Sequence, residues 1–184
     1  EIYGKKFFYI KKKISPKKLE QVLLLGDKSF IQEESIARVY PNGNLFSHVI
    51  GQIDNDNNGI SGIEKTFDYE LTTTKEPLKL TLDKDLQYLI KEELLKSKDI
   101  FQNIGSAAIL MDINNGNILS MVSLPDFDLN KREKINDIKY INRATKGVYE
   151  FGSVFKTFTL AAGLQYKVVE PDTEFKNLKK RITC

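Results

Sequence analysis

Residues 106–123 read SAAILMDINNGNILSMVS and decide more of the local architecture than any other stretch of the chain. Apolar residues alternate along this stretch as far as Asn115-Gly116, and a second apolar run follows from Ile118 to Val122. Alternation is typical of a half-buried strand, and Asn-Gly favours tight hairpin turns because both residues tolerate positive φ. The pattern predicts an antiparallel β-hairpin over residues 106–123.

The residues just before this hairpin predict a strand and then a helix. Residues 78–82 alternate like a strand, and Asp83 can cap the helix that follows. The apolar residues of that helix recur at a spacing that puts them on one face, namely Leu86, Leu89, Ile90 and Leu94. We expect this face to pack against another element, and the mixture of helix and hairpin predicts an α+β fold.

The N-terminal part of the chain has weaker patterns. A short helix is predicted between Ser15-Pro16, which suits an N-cap and first turn, and Gly26. Residues 29–40 look strand-like and end at the turn signal Pro41-Asn42-Gly43. Residues 54–59 are rich in Asp and Asn, but the Gly and distal Glu of an EF-hand loop are not in place, so a solvated turn is predicted instead of a calcium site.

The composition limits the classes of function. The chain has 184 residues, of which 41% are hydrophobic and 29% charged, and its formal net charge is +3. This indicates a globular protein with no overall signal for nucleic-acid binding. The single histidine, His48, and the single cysteine, Cys184, exclude an internal disulfide and argue against a metal site rich in either residue. No motif places a carboxylate beside His48, so we assign it no catalytic role.

The basic excess is confined to the N-terminus. Seven lysines lie between residues 5 and 18, and a solvated surface explains them better than attraction to an anionic surface. No run approaches the roughly 20 apolar residues that a membrane-spanning helix needs. The sequence begins at Glu1 without an initiator Met, so nothing in it excludes a signal or membrane anchor upstream.

The motif that carries chemistry is Ser153-Val154-Phe155-Lys156. A spacing of three residues on a helix puts the serine hydroxyl and the lysine amine one turn apart on the same face, where they can exchange a proton. Burial among apolar neighbours and the positive helix terminus would both favour the neutral amine, which can activate the serine as a nucleophile. The Ser153 N–H could also donate to an oxyanion.

The motif alone is weak evidence. Ser-x-x-Lys occurs twice in the chain, and the other match is Ser15-Pro16-Lys17-Lys18, at a basic helix start where lysine would stay hydrated and charged. Context must therefore decide between the two. For Ser153 the context includes a run of apolar residues on nearly all sides of the predicted helix, which predicts a helix buried within a larger fold.

Several further motifs accompany Ser153 and occur in a fixed order. They are Arg38-Val39-Tyr40-Pro41, Gly59-Ile60-Ser61-Gly62-Ile63-Glu64, Thr81-Leu82-Asp83 with Leu86-Gln87, and Asn142-Arg143-Ala144 ahead of Tyr149 to Phe158. In these motifs the chain resembles the class B penicillin-binding proteins, and within them the cell-division transpeptidases. One departure is Phe151, where many relatives carry proline.

The resemblance implies a fold and a set of site residues. It implies a β-rich pedestal module over residues 1–75, and the truncated start of a penicillin-binding/β-lactamase-like transpeptidase domain over residues 76–184. It makes Ser153 the nucleophile and Lys156 its base, with no cofactor and no metal. The residues to which it gives a structural role are Arg38, Tyr40, Pro41, Gly59, Gly62, Glu64, Asn142 and Arg143. Arg38 and Glu64 are expected to pair within the pedestal.

The resemblance also implies an activity and a location. The expected enzyme is a peptidoglycan D,D-transpeptidase that acts on stem peptides and is acylated by β-lactams at the same serine. It would work at the periplasmic face of the bacterial inner membrane. Its expected partners are a membrane glycosyltransferase and proteins of the division or elongation machinery, and nucleic acid is not among them.

Two further active-site motifs of the family, Ser-x-Asn and Lys-Thr-Gly, are not found after Lys156. We therefore expect this chain to be inactive by itself. One alternative is a non-catalytic interaction module formed by residues 1–75, which would bind division or elongation proteins. A serine β-lactamase or β-lactam sensor is a third hypothesis, but it does not account for Arg38 or for residues 59–64.

Overall fold

A computed structural model describes residues 4, 6–11, 13–34, 36–131 and 138–176 of the chain. The chain divides into two compact units, Glu1–Gly147 and Val148–Cys184, and each is described separately below. The helices in chain order are α1 (Pro16–Leu23), α2 (Ser47–Ile50), α3 (Gly62–Thr66), α4 (Asp68–Thr73), α5 (Lys84–Phe101), α6 (Arg143–Lys146) and α7 (Lys156–Gln165). Together with one small sheet, they confirm the predicted α+β class.

The sheet of the first unit is the predicted hairpin. Strand β1 (Ser106–Met111) pairs antiparallel with β2 (Ile118–Leu124), and the register joins Ser106 to Leu124. The register shifts between Leu110 and Met111. In the turn, Gly116 has φ +75°, a conformation that glycine adopts without steric cost.

Helix α5 packs against β2, and its start is fixed as predicted. The carboxylate of Asp83 accepts hydrogen bonds from the N–H groups of Asp85 and Leu86, both at 2.9 Å. The helix ends at Phe101, and the capping residue Gln102 has left-handed backbone angles. Val122 and Leu124 of β2, together with Phe127, form the buried apolar core of the described residues.

Two segments that were predicted as strand-like are not strands. Residues 29–34 and 36–40 are irregular and mostly exposed. They form no strand because none of the described residues pairs with them in a ladder. Residues 78–82 are also irregular, although they run beside β2. There the Thr81 hydroxyl donates to the carbonyl of Ile118 at 2.7 Å, and the Asp83 N–H donates to that of Leu119 at 2.8 Å.

The N-terminal region differs from the expected β-rich module. Its described residues contain the four short helices α1 to α4 and one isolated antiparallel bridge, between Ile53 and Gly59. The local predictions were better: α1 follows Ser15 and begins at Pro16, and the Asp54 carboxylate organises a solvated turn by accepting from the N–H groups of Asp56 and Asn58.

The module boundary predicted at residues 75/76 lies within the first compact unit, and it stays a prediction. None of the helices among the described residues is long and apolar enough to span a bilayer.

Candidate active site and its supporting motifs

Ser153 lies at the start of a helical segment in the second unit. Residues Gly152–Phe155 form one 3₁₀ turn, and α7 continues from Lys156 without a break. Gly152 has φ +53°, a left-handed conformation that permits the abrupt turn into the helix. The first N–H groups of such a segment have no carbonyl one turn earlier, so the Ser153 N–H is directed away from the helix body.

The same segment gives the Ser-x-x-Lys motif its predicted spacing along a helical backbone. The Lys156 N–H donates to the carbonyl oxygens of Ser153 and Val154, which keeps the two motif residues within one turn. Among the described residues, no hydrogen bond joins the side chains of Ser153 and Lys156. The backbone therefore supports the pair, while the proton-transfer contact between the side chains is not made.

The predicted burial of this motif is wrong for the chain as it stands. Val154 is 66% exposed, Phe155 59% and Phe158 67%, and Lys156 is exposed as well. The physical reason is that residues 148–176 form one helical segment and its flanking turns, and a single helix cannot bury its own apolar side chains. The apolar side chains of the motif therefore do not enclose the Lys156 side chain within this chain.

The first unit holds a buried carboxylate where the paired motifs meet. Glu64, at the buried face of α3, accepts a hydrogen bond from Arg38 Nη2 at 3.2 Å through Oε2, and its Oε1 lies 3.1 Å from Arg38 Nε in an ion pair. The Tyr40 hydroxyl donates to Oε1 of the same carboxylate at 3.0 Å. Burial, followed by the negative charge of Glu64, raises the pKa of Tyr40, so the phenol remains a donor. The predicted pairing of Arg38 with Glu64 is confirmed.

The glycines of the second motif are required by close backbone contacts. A Cβ on Gly59 would collide with the carbonyl of Glu64, and one on Gly62 would collide with the carbonyl of Val49. Gly62 also has φ +59°, which disfavours any other residue. These two positions let the loop before α3 fold tightly enough to present Glu64 to Arg38.

The Tyr40-Pro41 motif is also held by a residue far along the chain. The Asn130 side chain accepts from the Tyr40 N–H at 3.0 Å and donates to the Tyr40 carbonyl at 2.8 Å, as a neighbouring strand would. Pro41, which has no N–H to donate, then begins the turn that leads to α2. Nothing in the local pattern around Asn130 predicted this bond.

Asn142 and Arg143 fix the start of α6 against the hairpin. The Asn142 side chain caps α6 by accepting from the Ala144 N–H at 3.0 Å. The Arg143 N–H donates to the Ser123 hydroxyl of β2 at 3.0 Å. The Arg143 guanidinium lies over Gly105, where a Cβ would collide with it. The structural role proposed for both residues therefore has a physical basis in these contacts.

Two polar residues of α5 are buried: Gln87, which the sequence analysis quoted only as part of a motif, and Lys91, which it did not name. Gln87 is 1% exposed and bonds to four groups at 2.7–2.9 Å: the carbonyls of Leu45 and Met121, the Met121 N–H and the Ser120 hydroxyl. Lys91 is 8% exposed and forms an ion pair with Asp126 at 2.6 Å. Their spacing of four residues on one helix face is the signal that could have revealed them.

The inward face of α5 is therefore centred on polar residues rather than on the predicted leucines. Leu86, Ile90 and Leu94 flank this face and are partly buried, whereas Leu89 is 56% exposed and points outward. Among the described residues, no cluster of three or more His, Cys, Asp or Glu side chains could hold a metal ion.

Comparison with known proteins agrees with this geometry. Residues 106–183, which begin at β1 and include Ser153, match the family described as penicillin binding protein transpeptidase domain. The probable peptidoglycan D,D-transpeptidase FtsI of Caulobacter vibrioides is 31% identical over 178 residues, which cover 95% of this chain and 30% of that protein. Stage V sporulation protein D of Bacillus subtilis is 32% identical over 186 residues, covering 86% of this chain and 29% of that protein.

A solved structure gives the same result. The crystal structure of penicillin binding protein 3 from Mycobacterium tuberculosis in its apo form superposes with a TM-score of 0.63 at 28% identity, over 74% of this chain and 33% of that one. The hairpin and the Ser153 segment thus lie in the part of the chain that matches a penicillin-binding transpeptidase domain, which confirms the family resemblance. Within that class, the chain is similar to class B proteins of the FtsI and PenA type. It spans about a third of the length of these relatives.

Proposed function

We propose that the protein is a peptidoglycan D,D-transpeptidase in which Ser153 is the nucleophile. The serine oxygen attacks the carbonyl of the penultimate D-alanine of a stem peptide, and Lys156 accepts the serine proton. The peptide bond to the terminal D-alanine breaks, that residue leaves as the free amino acid, and an acyl-enzyme ester remains. An amine of a second stem peptide then attacks the ester, so a new peptide bond forms and Ser153 regains its proton.

The observation that carries this proposal is the continuous helical backbone from Gly152 through α7, within the part of the chain that matches the transpeptidase domain. It puts the serine and lysine of the motif one turn apart, and it leaves the Ser153 N–H available as an oxyanion donor. A single donor of this kind contributes about 2.7–4 kcal/mol of transition-state stabilisation.

The exposure of Lys156 sets a condition on the chemistry. A lysine in water keeps its charge and is a poor base, so the proposed mechanism needs further protein around α7. By resemblance, the Ser-x-Asn and Lys-Thr-Gly motifs would line the same site and supply a proton-relay serine and a second oxyanion donor. We therefore infer that the 184-residue chain does not acylate at an appreciable rate by itself.

The same proposal covers ligands, location and partners. β-Lactams, which resemble the D-Ala-D-Ala terminus, would acylate Ser153. The site of action would be the periplasmic face of the bacterial inner membrane, with an anchor outside these residues. A membrane glycosyltransferase and division or elongation proteins are proposed as partners.

A second candidate function is supported by the order of the first unit. Glu64, Arg38 and Tyr40 form a well-bonded cluster, whereas the Ser153 segment is exposed and its side chains are not engaged with each other. For this chain by itself, residues 1–75 would then serve as an interaction module for division or elongation proteins. The hypothesis of a β-lactamase or sensor receives no such support.

The test is labelling of the full-length protein with a fluorescent penicillin. We expect Ser153→Ala to abolish labelling and Lys156→Ala to reduce it by at least about 100-fold, the lower range for loss of a general base. Ser15→Ala is the matched control, because it removes the serine of the other Ser-x-x-Lys match and should leave labelling unchanged. Labelling that survives Ser153→Ala would reject the assignment, and robust labelling of the 184-residue chain would show that no further protein is needed.

A further inference from the structure

Aromatic and aliphatic side chains are exposed between lysines near the start of the first unit. Four consecutive residues form this apolar run and are 42–68% exposed, namely Phe7, Phe8, Tyr9 and Ile10. The lysines on either side of the run, Lys6 and Lys11, are exposed as well. Residues 5–18 contain seven lysines and no aspartate or glutamate. The segment therefore presents an apolar run that is bordered by positive charge.

Helix α1 has an apolar face of the same kind. The apolar residues recur at helical spacing and so lie on one face of the helix, namely Leu19, Val22 and Leu23. Lys17 and Lys18 lie outside that face, and both are exposed. An amphipathic helix that is rich in lysine and low in overall hydrophobicity is typical of segments that lie in the plane of a membrane interface.

The apolar run and α1 open onto one surface. A groove of about 870 Å³ is lined by the run, by the apolar face of α1 and by residues 29–34. Phe7 packs edge-on against Tyr9, with 5.2 Å between the ring centroids, and the Tyr9 hydroxyl donates to Glu33 at 2.9 Å. These contacts hold the run beside residues 29–34 while its side chains stay accessible.

The charge around this groove is positive on balance. Residues 5–34 contain eight lysines and four acidic residues, which gives a net charge of +4. Seven of the eight lysines, and none of the acids, belong to residues 5–18. Glu33, Glu34 and Asp56 also line the groove, and Glu33 accepts the bond from Tyr9. An anionic partner with an apolar phase therefore complements both the lysines and the exposed rings.

The exposure of the rings changes the interpretation of the lysines. The sequence favoured a solvated surface for them, because it did not show whether the residues between them are buried. In the structure those residues are exposed. At a bilayer surface, aromatic side chains enter the headgroup region while lysines attract the anionic headgroups, so one environment accommodates both.

We propose that residues 6–11, Lys13 and α1 form a docking surface for an anionic phospholipid bilayer. The apolar run and the apolar face of α1 enter the interface, and the lysines bind the phosphate groups of the lipids. The inference concerns the first unit and does not depend on the proposed transpeptidase chemistry. It also does not require the anchor that was proposed outside these residues.

Cosedimentation of the 184-residue chain with sucrose-loaded vesicles tests the proposal. We expect the chain to pellet with vesicles of equal parts phosphatidylcholine and phosphatidylglycerol, and to stay in the supernatant with phosphatidylcholine alone. Raising the ionic strength from about 0.1 M to about 1 M shortens the Debye length from about 10 Å to about 3 Å and should release most of the bound chain. Glycerol phosphate, the free headgroup, should not displace the chain, because it offers no apolar phase.

Three results would overturn the proposal. Equal pelleting with both kinds of vesicle would show that the lysines do not contribute. Displacement by glycerol phosphate would show that the surface binds a free phosphate and not a bilayer. A chain that does not pellet with the anionic vesicles would leave an acidic protein segment as the partner for the groove.

Substitution of two lysines tests the charge. Lys6→Gln with Lys11→Gln should lower the partition constant on the anionic vesicles by about 30-fold, from the usual contribution of a lysine beside an anionic surface. Lys65→Gln with Lys146→Gln is the matched control, since it removes the same charge from exposed positions elsewhere. Equal losses from the two pairs would mean that net charge acts and not this surface.

Substitution of two rings tests the apolar contact. Phe7→Ser with Phe8→Ser should lower the same partition constant by at least about tenfold, because the two exposed parts together amount to roughly one phenylalanine side chain. Ile104→Ser with Ile113→Ser removes two exposed apolar side chains elsewhere and should leave it unchanged. Binding that survives the loss of Phe7 and Phe8 would place the contact on another surface. The comparison of vesicles with the unaltered chain does not depend on the folding of any variant.

Discussion

Glu64 is a buried carboxylate whose side-chain partners, Arg38 and Tyr40, are both hydrogen-bond donors. Only 4% of the residue is exposed, and it accepts one hydrogen bond from Arg38 and one from Tyr40, with a second nitrogen of Arg38 in ion-pair contact. Arg38 is always charged, and the raised pKa of Tyr40 keeps the phenol protonated, so the donors are fixed in their roles across the ordinary pH range. A buried charge is stable only when it is satisfied in this way.

The first prediction is that Glu64→Gln lowers the free energy of unfolding by about 1–3 kcal/mol, the range for lost hydrogen bonds to charged groups. The amide turns a donor toward Arg38 or Tyr40, and the guanidinium loses its counter-charge. We keep the estimate below that for a fully buried pair because the Arg38 side chain is 37% exposed. Urea unfolding followed by circular dichroism measures the change.

Glu93→Gln is the control for this substitution, because Glu93 also forms an ion pair but with the exposed Lys96. Its unfolding curve should coincide with that of the parent chain. Equal destabilisation by the two substitutions would contradict a special role for the buried cluster.

Helix α5 shows how a whole element is positioned at its N-terminal end and along one face. Asp83 caps its first turn, and its N–H group also bonds to Leu119 of β2, so the cap and the sheet are joined at one residue. Further along, Gln87 substitutes for a strand neighbour at β2 through its bonds to Met121. The axis and rotation of α5 are thus determined by polar contacts as much as by apolar packing.

The second prediction is that Asp83→Ala destabilises the first unit by about 1 kcal/mol, the usual cost of losing an N-cap side chain. Asp83→Asn retains a side-chain oxygen that can accept from Asp85 and Leu86, so most of the stability should return. Thermal or urea unfolding of both variants gives the comparison. If Asn and Ala were equally destabilising, the carboxylate would act through its charge rather than as a cap.

The chain as a whole is unevenly buried. The first unit contains the sheet, α5 and the cluster around Glu64, whereas the apolar residues of α7 and its approach in the second unit are largely exposed. A contiguous apolar surface of this kind is unusual on a monomeric protein and promotes association.

The third prediction is that the 184-residue chain self-associates as its concentration rises, through the segment 151–160. Replacing Phe155 and Phe158 together by Ser should shift sedimentation toward the monomer, because both rings are exposed. Replacing Ile104 and Ile113 by Ser is the control, since these residues are 94% and 92% exposed but lie outside that segment. A chain that stays monomeric throughout, or equal effects of the two pairs, would contradict the prediction.

Local sequence patterns predicted the elements whose hydrogen bonds join residues close together in the chain. The hairpin followed from alternation and the Asn115-Gly116 turn, α5 from its periodicity and the Asp83 cap, and the pairing of Arg38 with Glu64 from a family resemblance. The family itself was also correctly inferred, because several motifs occurred in one order. For Ser153 and Lys156, the sequence determined the spacing, and their catalytic role stays a proposal.

The features that only the tertiary structure determines are strand pairing and the inward face of α5, because both depend on residues that are distant in the chain. Residues 29–34, 36–40 and 78–82 have strand-like patterns but form no β-ladder in the structure, because a strand is completed by its neighbour and not by its own alternation. The inward face of α5 is set by Gln87 and Lys91, because β2 and the loop after it offer polar groups that must be satisfied. The sequence alone determined which segments can be helical or extended, and the spacing of Ser153 and Lys156. The burial of these segments and their long-range hydrogen bonds depend on which other parts of the protein pack against them.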